Sequence, residues 1–176
     1  MGLRGETAEH PLSGLNWRPM TAADLDGVVR VAALGFPDHF EDRACFENRL
    51  TLNPSGCSVL ADENGVFGYL MAYPWRDGEI PPLNTRIEAL PTDADRLYLH
   101  DLALDPAIRG GGHAAVAVER LIGQARKDGW PAISLVAVNN AAPFWARHGF
   151  EVVESPALAA KLASYGPDAR YMVRAL

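Results

Sequence analysis

Long apolar runs are absent from this chain of 176 residues, and cysteine is scarce. No apolar stretch approaches the roughly 20 residues of a membrane-spanning helix, so we expect no membrane partner. The first ten residues are mostly polar and contain no apolar core segment, so a secretory signal is not predicted. The two cysteines, Cys45 and Cys57, have neither CxxC nor zinc-site spacing. We therefore interpret them as core thiols of a cytoplasmic protein and predict no metal.

A surplus of basic residues is also absent. Lysine and arginine together number 16 against 22 aspartates and glutamates, which gives a formal net charge of -6. This balance argues against a nucleic-acid-binding protein, because such proteins neutralise phosphates with Lys and Arg. An acidic chain is compatible with attraction of a cationic substrate, although mild acidity is also ordinary for soluble domains.

The length fits one domain, since domains cluster near about 100–150 residues. Residues 1–15 are polar, rich in glycine and aperiodic, which predicts a loose tail, and residues 16–176 predict a single domain. A long segment without strong periodicity, residues 74–96, is of the kind that is usually functional or mobile. Periodicity and turn residues predict strands near 16–20, 57–62, 66–73, 96–104, 132–138, 150–154 and 170–176, and helices near 21–35, 42–52, 112–128 and 142–147.

The segment from Leu102 to Ala114 carries the clearest chemical signal, because a strand, a turn and three glycines lead into a helix. The first N–H groups of a helix are unpaired and its dipole is positive there, so the segment predicts an anion site suited to a pyrophosphate. A tight helix start built from small packing residues is the alternative. A dinucleotide fingerprint fails because residues 105–109 separate the strand from the glycines, and a nucleoside-triphosphate loop would need Gly-Lys-Ser/Thr.

This segment resembles the coenzyme A loop of the GCN5-related N-acetyltransferases (GNAT), whose signature is Arg/Gln-x-x-Gly-x-Gly/Ala. Arg109, Gly112 and Ala114 match that signature. The order of elements, Pro106 after the strand, and an aromatic-x-x-x-Gly-Phe sequence at 145–150 extend the resemblance over the whole predicted domain.

The resemblance implies an α/β GNAT fold, with a mixed sheet of about six or seven strands and about four flanking helices. Strands 4 and 5, here 96–104 and 132–138, would splay apart and admit the pantetheine arm of the co-substrate, acetyl-CoA. Backbone groups near residues 102–104 would then polarise the thioester carbonyl. The residues implied in acetyl-CoA binding are Leu102, Ala103, Leu104, Arg109, Gly110, Gly111, Gly112, His113, Ala114, Asn139, Phe144 and Trp145.

A base is needed because a protonated amine cannot attack a thioester, and histidine suits this role with a pKa of about 6.5. Simple alternation places Tyr98, His100, Leu102 and Leu104 on one face of their strand. This strand resembles that of the arylalkylamine acetyltransferases, which carry two histidines at the positions of Tyr98 and His100. We take His100 as the base, directly or through water, with Tyr98 beside it. A satisfied core histidine is the alternative.

The group that would protonate the leaving thiolate is less apparent. Many family members carry a tyrosine at the position of Trp145, and an indole cannot replace it as an acid. Tyr165 and Tyr171 are candidate acids; the alternatives are a turn residue for Tyr165 and simple alternation within a strand for Tyr171. A thiol with a pKa near 8.5 could also leave without help from the protein.

The acceptor pocket is expected to be shaped by Pro74, Trp75, Asp77 and Glu79, whose two carboxylates either attract a cation or are solvated. The predicted function is acetyl transfer from acetyl-CoA to a primary amine of a small molecule, by direct attack on the thioester. A peptide or protein amine is the alternative acceptor, because one fold hosts both. Because Trp145 stands where many family members have a tyrosine, a non-catalytic acyl-CoA-binding module is a further alternative. A homodimer is also possible.

Overall fold

The computed structural model describes residues 14–176, so all but the last two residues of the predicted tail lie outside the described part. Within these residues, seven strands form one sheet that is accompanied by five α-helices. The elements are β1 (Asn16–Pro19), α1 (Leu25–Gly35), α2 (Arg43–Leu52), β2 (Cys57–Asp62), β3 (Gly65–Trp75), β4 (Arg96–Leu104), α3 (His113–Lys127), β5 (Ala132–Ala137), α4 (Ala142–Arg147), β6 (Glu151–Val152), α5 (Pro156–Ala163) and β7 (Arg170–Ala175).

The sheet has the strand order β1-β2-β3-β4-β5-β7-β6. Neighbouring strands are antiparallel except β4 and β5, which are parallel and pair only at Leu97–Ile133 and Tyr98–Ser134. Beyond Tyr98 the two strands separate, and their facing edges form no hydrogen bonds with another strand within residues 14–176. This arrangement confirms the predicted mixed sheet, splayed between its fourth and fifth strands.

A β-bulge in β4 lies at His100. Asp101 pairs with Met71 and Leu99 pairs with Ala72, so three consecutive residues of β4 face two residues of β3. His100 is the extra residue, and such an insertion shifts the alternation of the strand. The side chains before and after it therefore no longer follow a simple period of two.

The bulge corrects the predicted face assignment of β4. Leu102 and Leu104 pack into the core beneath α3, whereas the rings of Tyr98 and His100 both contact Tyr73 on the opposite face. The two aromatic residues therefore do not share a face with the two leucines, as simple alternation had predicted. One added residue is enough to reverse that relation.

Helices cover both faces of the sheet. Thr21 and Asp24 form the capping box that precedes α1, so the predicted helix start is confirmed. Leu25, Val28 and Val31 of α1 are buried against β2 and β3. The apolar face of α3 packs on the other side against β4 and β5. The carboxyl edge of the splayed strands thus lies between two helical layers.

Three elements differ from the sequence prediction. β3 extends through Pro74 and Trp75, because both residues pair with β4. β6 contains only Glu151–Val152, and α5 was not predicted, although Pro156 at its first position is a common helix-start signal. Both cysteines are free and buried, as expected. None of the described helices combines the length and apolarity needed to cross a membrane.

Candidate active site

The glycine-rich segment forms an exposed turn that leads into α3, with Arg109 at its start. Gly110 and Gly112 adopt left-handed backbone conformations, with φ of 88° and 78°. The first backbone hydrogen bond of the helix runs from Val116 N to Gly112 O at 3.2 Å. The N–H groups of residues 110–115 therefore have no backbone acceptor among the described residues. Together with the positive end of the helix dipole, they form a site suited to a pyrophosphate.

A cleft opens between β4 and β5 where the two strands separate. The backbone of residues 102–104 pairs with β3 on one side and with no strand on the other. Its free N–H and C=O groups can therefore bond a ligand that lies along this edge. The residues that line the cleft are Phe36, His39, Glu41, Leu83, Tyr98, Leu99, His100, Asp101, Leu102, Leu135, Val136, Val138, Ala141, Trp145 and Tyr165.

Three residues expected to bind the coenzyme lie at β5 and α4. Trp145 is buried and lines the cleft. Phe144 packs edge-on against Trp145, with ring centroids 5.0 Å apart. Asn139 follows β5 by two residues and has a φ of 55°, and its side-chain amide donates to Gly35 O at 3.2 Å. Of these three residues only Trp145 lines the cleft, while the other two support its walls.

His100 is enclosed, and both of its ring nitrogens have partners. Nε2 lies 2.6 Å from Glu41 Oε1, and Nδ1 lies 3.3 Å from the Tyr73 hydroxyl. The side chains of His100 and Glu41 are only 2% and 4% exposed. A neutral His100 therefore donates from Nε2 to Glu41 and accepts at Nδ1 from Tyr73. A proton taken up by His100 has to pass through one of these two partners.

Glu41 and His100 belong to a buried charged cluster that also contains Arg49 and Asp101. Arg49 lies 3.3 Å from Glu41 Oε2, and Asp101 Oδ2 lies 3.9 Å from His100 Nε2. The Tyr69 hydroxyl donates to Asp101 Oδ2 at 2.8 Å. With a neutral imidazole, two carboxylates face one guanidinium, and the cluster is left with an excess of negative charge.

Burial and neighbouring charges compete in setting the pKa values of this cluster. Burial alone would lower the pKa of His100, but Asp101 and Glu41 raise it above its ordinary value. Burial would raise the pKa of Glu41, but His100 and Arg49 hold it below its ordinary value. Burial raises the pKa of Asp101, even though the nearby imidazole opposes this. Titratable groups shifted in this way are typical of catalytic sites.

Sequence reasoning did not identify Glu41, Tyr73 or Asp101. Glu41 lies in the connection between α1 and α2, where nothing local distinguishes it from a solvated acid. Asp101 follows His100 directly, and two adjacent polar residues within an apolar strand were the one available sign of the bulge.

A family model described as the Acetyltransferase (GNAT) family matches residues 22–150, which is most of the chain. The chain belongs to the GNAT family. No curated protein matches the chain significantly.

Solved structures share the GNAT fold with this chain. Ard1 from Thermoplasma volcanium is 16% identical, with a TM-score of 0.71 over 93% of this chain and 98% of that chain. Naa50 from Arabidopsis thaliana, in complex with the bisubstrate analogue CoA-Ac-MVNAL, is 15% identical, with a TM-score of 0.68 over 91% and 97%. N-acetylglutamate synthase from Neisseria gonorrhoeae, complexed with coenzyme A and N-acetyl-glutamate, is 19% identical, with a TM-score of 0.66 over 92% of this chain and 35% of that chain. At these identities the likeness shows the fold alone.

The GNAT chain is an acyltransferase, and acetyl-CoA is its co-substrate. Two features of its own structure fit that molecule. The unpaired N–H groups at the start of α3 suit a pyrophosphate, and the open edge of β4 suits an arm that contains amides.

The three tyrosines considered for catalysis differ in position. Tyr165 lines the cleft, but its hydroxyl donates to Pro81 O, and burial raises its pKa. Tyr171 does not line the cleft, and its hydroxyl accepts from Gly78 N at 3.1 Å. Tyr98 lines the cleft where β4 and β5 begin to separate. The roles of Tyr165 and Tyr171 as proton donors, and of Tyr98 as the neighbour of the base, stay predictions.

The four residues expected to shape the acceptor pocket do not line the cleft of this acetyltransferase. Pro74 and Trp75 belong to β3, while Asp77 and Glu79 each form an ion pair with an arginine, at 3.1 and 3.3 Å. From the loop that follows β3, it is Leu83 that reaches the cleft. The loop therefore contributes to the wall through residues other than those predicted.

Three segments of the acetyltransferase meet at Tyr165. Its ring stacks with that of His39, with centroids 6.2 Å apart, and its carbonyl oxygen lies 2.6 Å from His39 Nε2. Its hydroxyl donates to Pro81 O. We call His39, Tyr165 and Pro81 the roof of the cleft, because they join the α1–α2 connection, the α5–β7 connection and the loop after β3.

Proposed function

We propose that this chain transfers the acetyl group of acetyl-CoA to a primary amine of a small molecule. The observation that carries the proposal is the roof, which links the three segments around the cleft through His39, Tyr165 and Pro81. An acceptor that continues as a long chain would have to pass between these linked segments. A compact amine can lie beneath them.

The lining of the cleft supports an amine with an apolar body. Phe36, Leu83, Val136 and Val138 supply apolar surface, and the carboxylates of the buried charged cluster can attract an ammonium group. The likeness of residues 97–104 to arylalkylamine acetyltransferases supports an aromatic or aliphatic body as well. The cytoplasmic location expected from the sequence stays a prediction.

The chemistry requires stabilised charge on the thioester oxygen and removal of a proton from the amine. The free backbone N–H groups of β4 are suited to the oxygen, because fixed dipoles stabilise developing charge best in a water-poor site. The buried cluster of Glu41, His100 and Asp101 is suited to accept the proton, because it holds three groups that can bind one. Trp145 offers no acidic proton, so the thiolate leaves without its help.

The test is a panel of primary amines of increasing length, assayed with acetyl-CoA by release of free thiol. We expect high kcat/KM for compact amines and low kcat/KM for peptides that present the same amine. Tyr165→Ala removes the centre of the roof and should raise kcat/KM for long acceptors relative to compact ones. Tyr171→Phe changes a tyrosine outside the cleft and serves as the matched control. Equal kcat/KM for peptides and compact amines with the wild type would overturn the small-molecule assignment.

A peptide amine is the second candidate acceptor. It is supported by the fold shared with Naa50, which was solved with the bisubstrate analogue CoA-Ac-MVNAL. The same fold is shared with the Neisseria gonorrhoeae synthase solved with N-acetyl-glutamate, so the fold does not choose between them. A non-catalytic acyl-CoA-binding module would bind coenzyme A and release no thiol with any amine.

A further inference from the structure

Asp101 differs from the other two proton-accepting groups of the buried cluster in its access to ligands. Its side chain is 13% exposed, against 2% for His100 and 4% for Glu41. The bulge accounts for this difference, because the extra residue in β4 sets Asp101 opposite Met71, on the face that carries α1. A side chain that is part of a buried cluster and still reachable is the one that a substrate can touch.

Hydrogen bonding separates the three groups in the same way. Both nitrogens of His100 are taken, by Glu41 and by Tyr73. Both oxygens of Glu41 are also taken, one by His100 and the other by Arg49 and a backbone N–H group. Asp101 accepts from Tyr69 at Oδ2 only. Its Oδ1 accepts no hydrogen bond from the described residues, and this oxygen is accessible to solvent.

Asp101 also lies where two cavities meet. A second cavity, here called the side pocket, runs along the end of α1, and its walls include Phe36, Phe40, Phe46 and Tyr69. The cleft and the side pocket share Asp101, together with Phe36, His39 and Glu41. A ligand in either cavity can therefore approach the same carboxylate, and the side pocket gives an apolar amine a route that is separate from the open edge of β4.

We propose that Asp101, rather than His100, holds the ammonium group of the acceptor and takes its proton. The proposal rests on the amine acetyltransferase function proposed above. One proton moves from the nitrogen to Asp101 Oδ1, and the freed lone pair forms the C–N bond at the thioester carbonyl carbon. After the C–N bond has formed, the nitrogen releases its second proton to solvent, the C–S bond breaks with its electron pair on sulfur, and the thiolate takes a proton from solvent. Asp101 then returns its own proton to solvent.

The groups that face Asp101 suit a carboxylate base. Burial raises the pKa of Asp101 and Glu41 adds to this, whereas the imidazole of His100, the Tyr69 hydroxyl and Arg49 oppose it. A carboxylate with a raised pKa is a stronger base than one in water, and a base works best when its pKa lies near the working pH. His100 then acts as a positioning residue, because it holds Glu41 and contributes to the field around Asp101.

The first test replaces Asp101 with asparagine, which keeps the shape and the oxygen that accepts from Tyr69. We expect kcat/KM for alkylamines to fall about 10²–10⁴-fold, the range for loss of a general base. The loss should shrink for weakly basic amines such as trifluoroethylamine, because those are already neutral at the assay pH. Unchanged affinity for coenzyme A and an unchanged melting temperature would show that the variant is folded.

The second test uses the pH dependence of kcat, which a purely structural residue would not move. Tyr69→Phe removes a hydroxyl that lowers the pKa of Asp101, so the acidic limb should move to higher pH. Asp101→Asn should remove that limb, whereas His100→Gln should keep it and move it upward, since the imidazole also lowers this pKa.

Either of two outcomes would overturn the role of Asp101 while the proposed function stands. In the first, Asp101→Asn turns over with an unchanged acidic limb. In the second, Tyr69→Phe leaves the limb at the same pH as in the wild type. Loss of the limb in His100→Gln together with its survival in Asp101→Asn would assign the base to His100. Absence of thiol release by the wild type with every amine would be a different result, because it overturns the proposed function and this role of Asp101 together.

Discussion

Replacement of Gly112 by alanine is expected to weaken coenzyme A binding strongly while the domain stays folded. Gly112 has a φ of 78°, and a Cβ there would meet no atom within 4 Å, so the cost is conformational rather than steric. A left-handed conformation costs a residue with a Cβ roughly 1–2 kcal/mol. Relaxation out of that conformation would turn the adjacent N–H groups away from the pyrophosphate.

The size of the effect follows from the donors that would be lost. A hydrogen bond to a charged group contributes about 1.5–3 kcal/mol, so loss of two such bonds costs about 3–6 kcal/mol. That corresponds to an increase in Kd on the order of 10²–10⁴-fold. Isothermal titration calorimetry with coenzyme A measures the change directly, and a thermal melt separates it from a loss of stability.

Gly123 provides the matched control, because it lies within α3 and a Cβ there would also meet no atom within 4 Å. Gly123→Ala should leave the Kd unchanged and stabilise the protein by about 0.4–1 kcal/mol, since alanine loses less backbone entropy in a helix. Wild-type affinity in Gly112→Ala, or equal losses in both variants, would refute the assignment of this loop to the pyrophosphate.

Two further predictions concern stability. Glu41→Gln breaks a buried ion pair with Arg49 and should lower the free energy of unfolding by about 3–5 kcal/mol at pH 7. Because the pKa of Glu41 is lowered in the folded state, the difference in this free energy between wild type and variant should shrink as the pH falls below about 4.3. Urea unfolding that gives the same difference at pH 7 and below about pH 4.3 would contradict this. Trp75→Ala should lower the free energy of unfolding by about 1–3 kcal/mol, because Trp75 is half-buried against Tyr73. The acceptor KM should not change, because Trp75 lies outside the cleft. A large rise in the acceptor KM without loss of stability would instead place Trp75 in the acceptor pocket.

The features that the sequence predicted well are local ones. The strand over Arg96–Leu104 and the short helix over Ala142–Arg147 have the predicted bounds, because apolar periodicity and breakers such as Pro106 and Gly149 act within a few residues. The glycine-rich turn that leads into α3 is likewise encoded in consecutive residues. Such signals survive folding because the local conformation satisfies them on its own.

The composition of the buried cluster could not be predicted, because it depends on contacts between distant segments. Glu41 reaches His100 across 59 positions of sequence, and Tyr69 reaches Asp101 across 32. The bulge at His100 is a property of the pairing between β3 and β4, so strand alternation alone gave the wrong face for Leu102. The roof also depends on α5, a helix that the sequence did not predict.

The most direct test of acetyl transfer to a small amine is a stoichiometric one. Purified protein is mixed with acetyl-CoA and a compact primary amine, and free thiol and the acetylated amine are quantified together, the latter by mass spectrometry. The proposed function predicts one acetylated amine for each thiol released, at a rate that depends on the amine concentration. Tight coenzyme A binding with thiol release that no amine increases would contradict it and would identify an acyl-CoA-binding module instead.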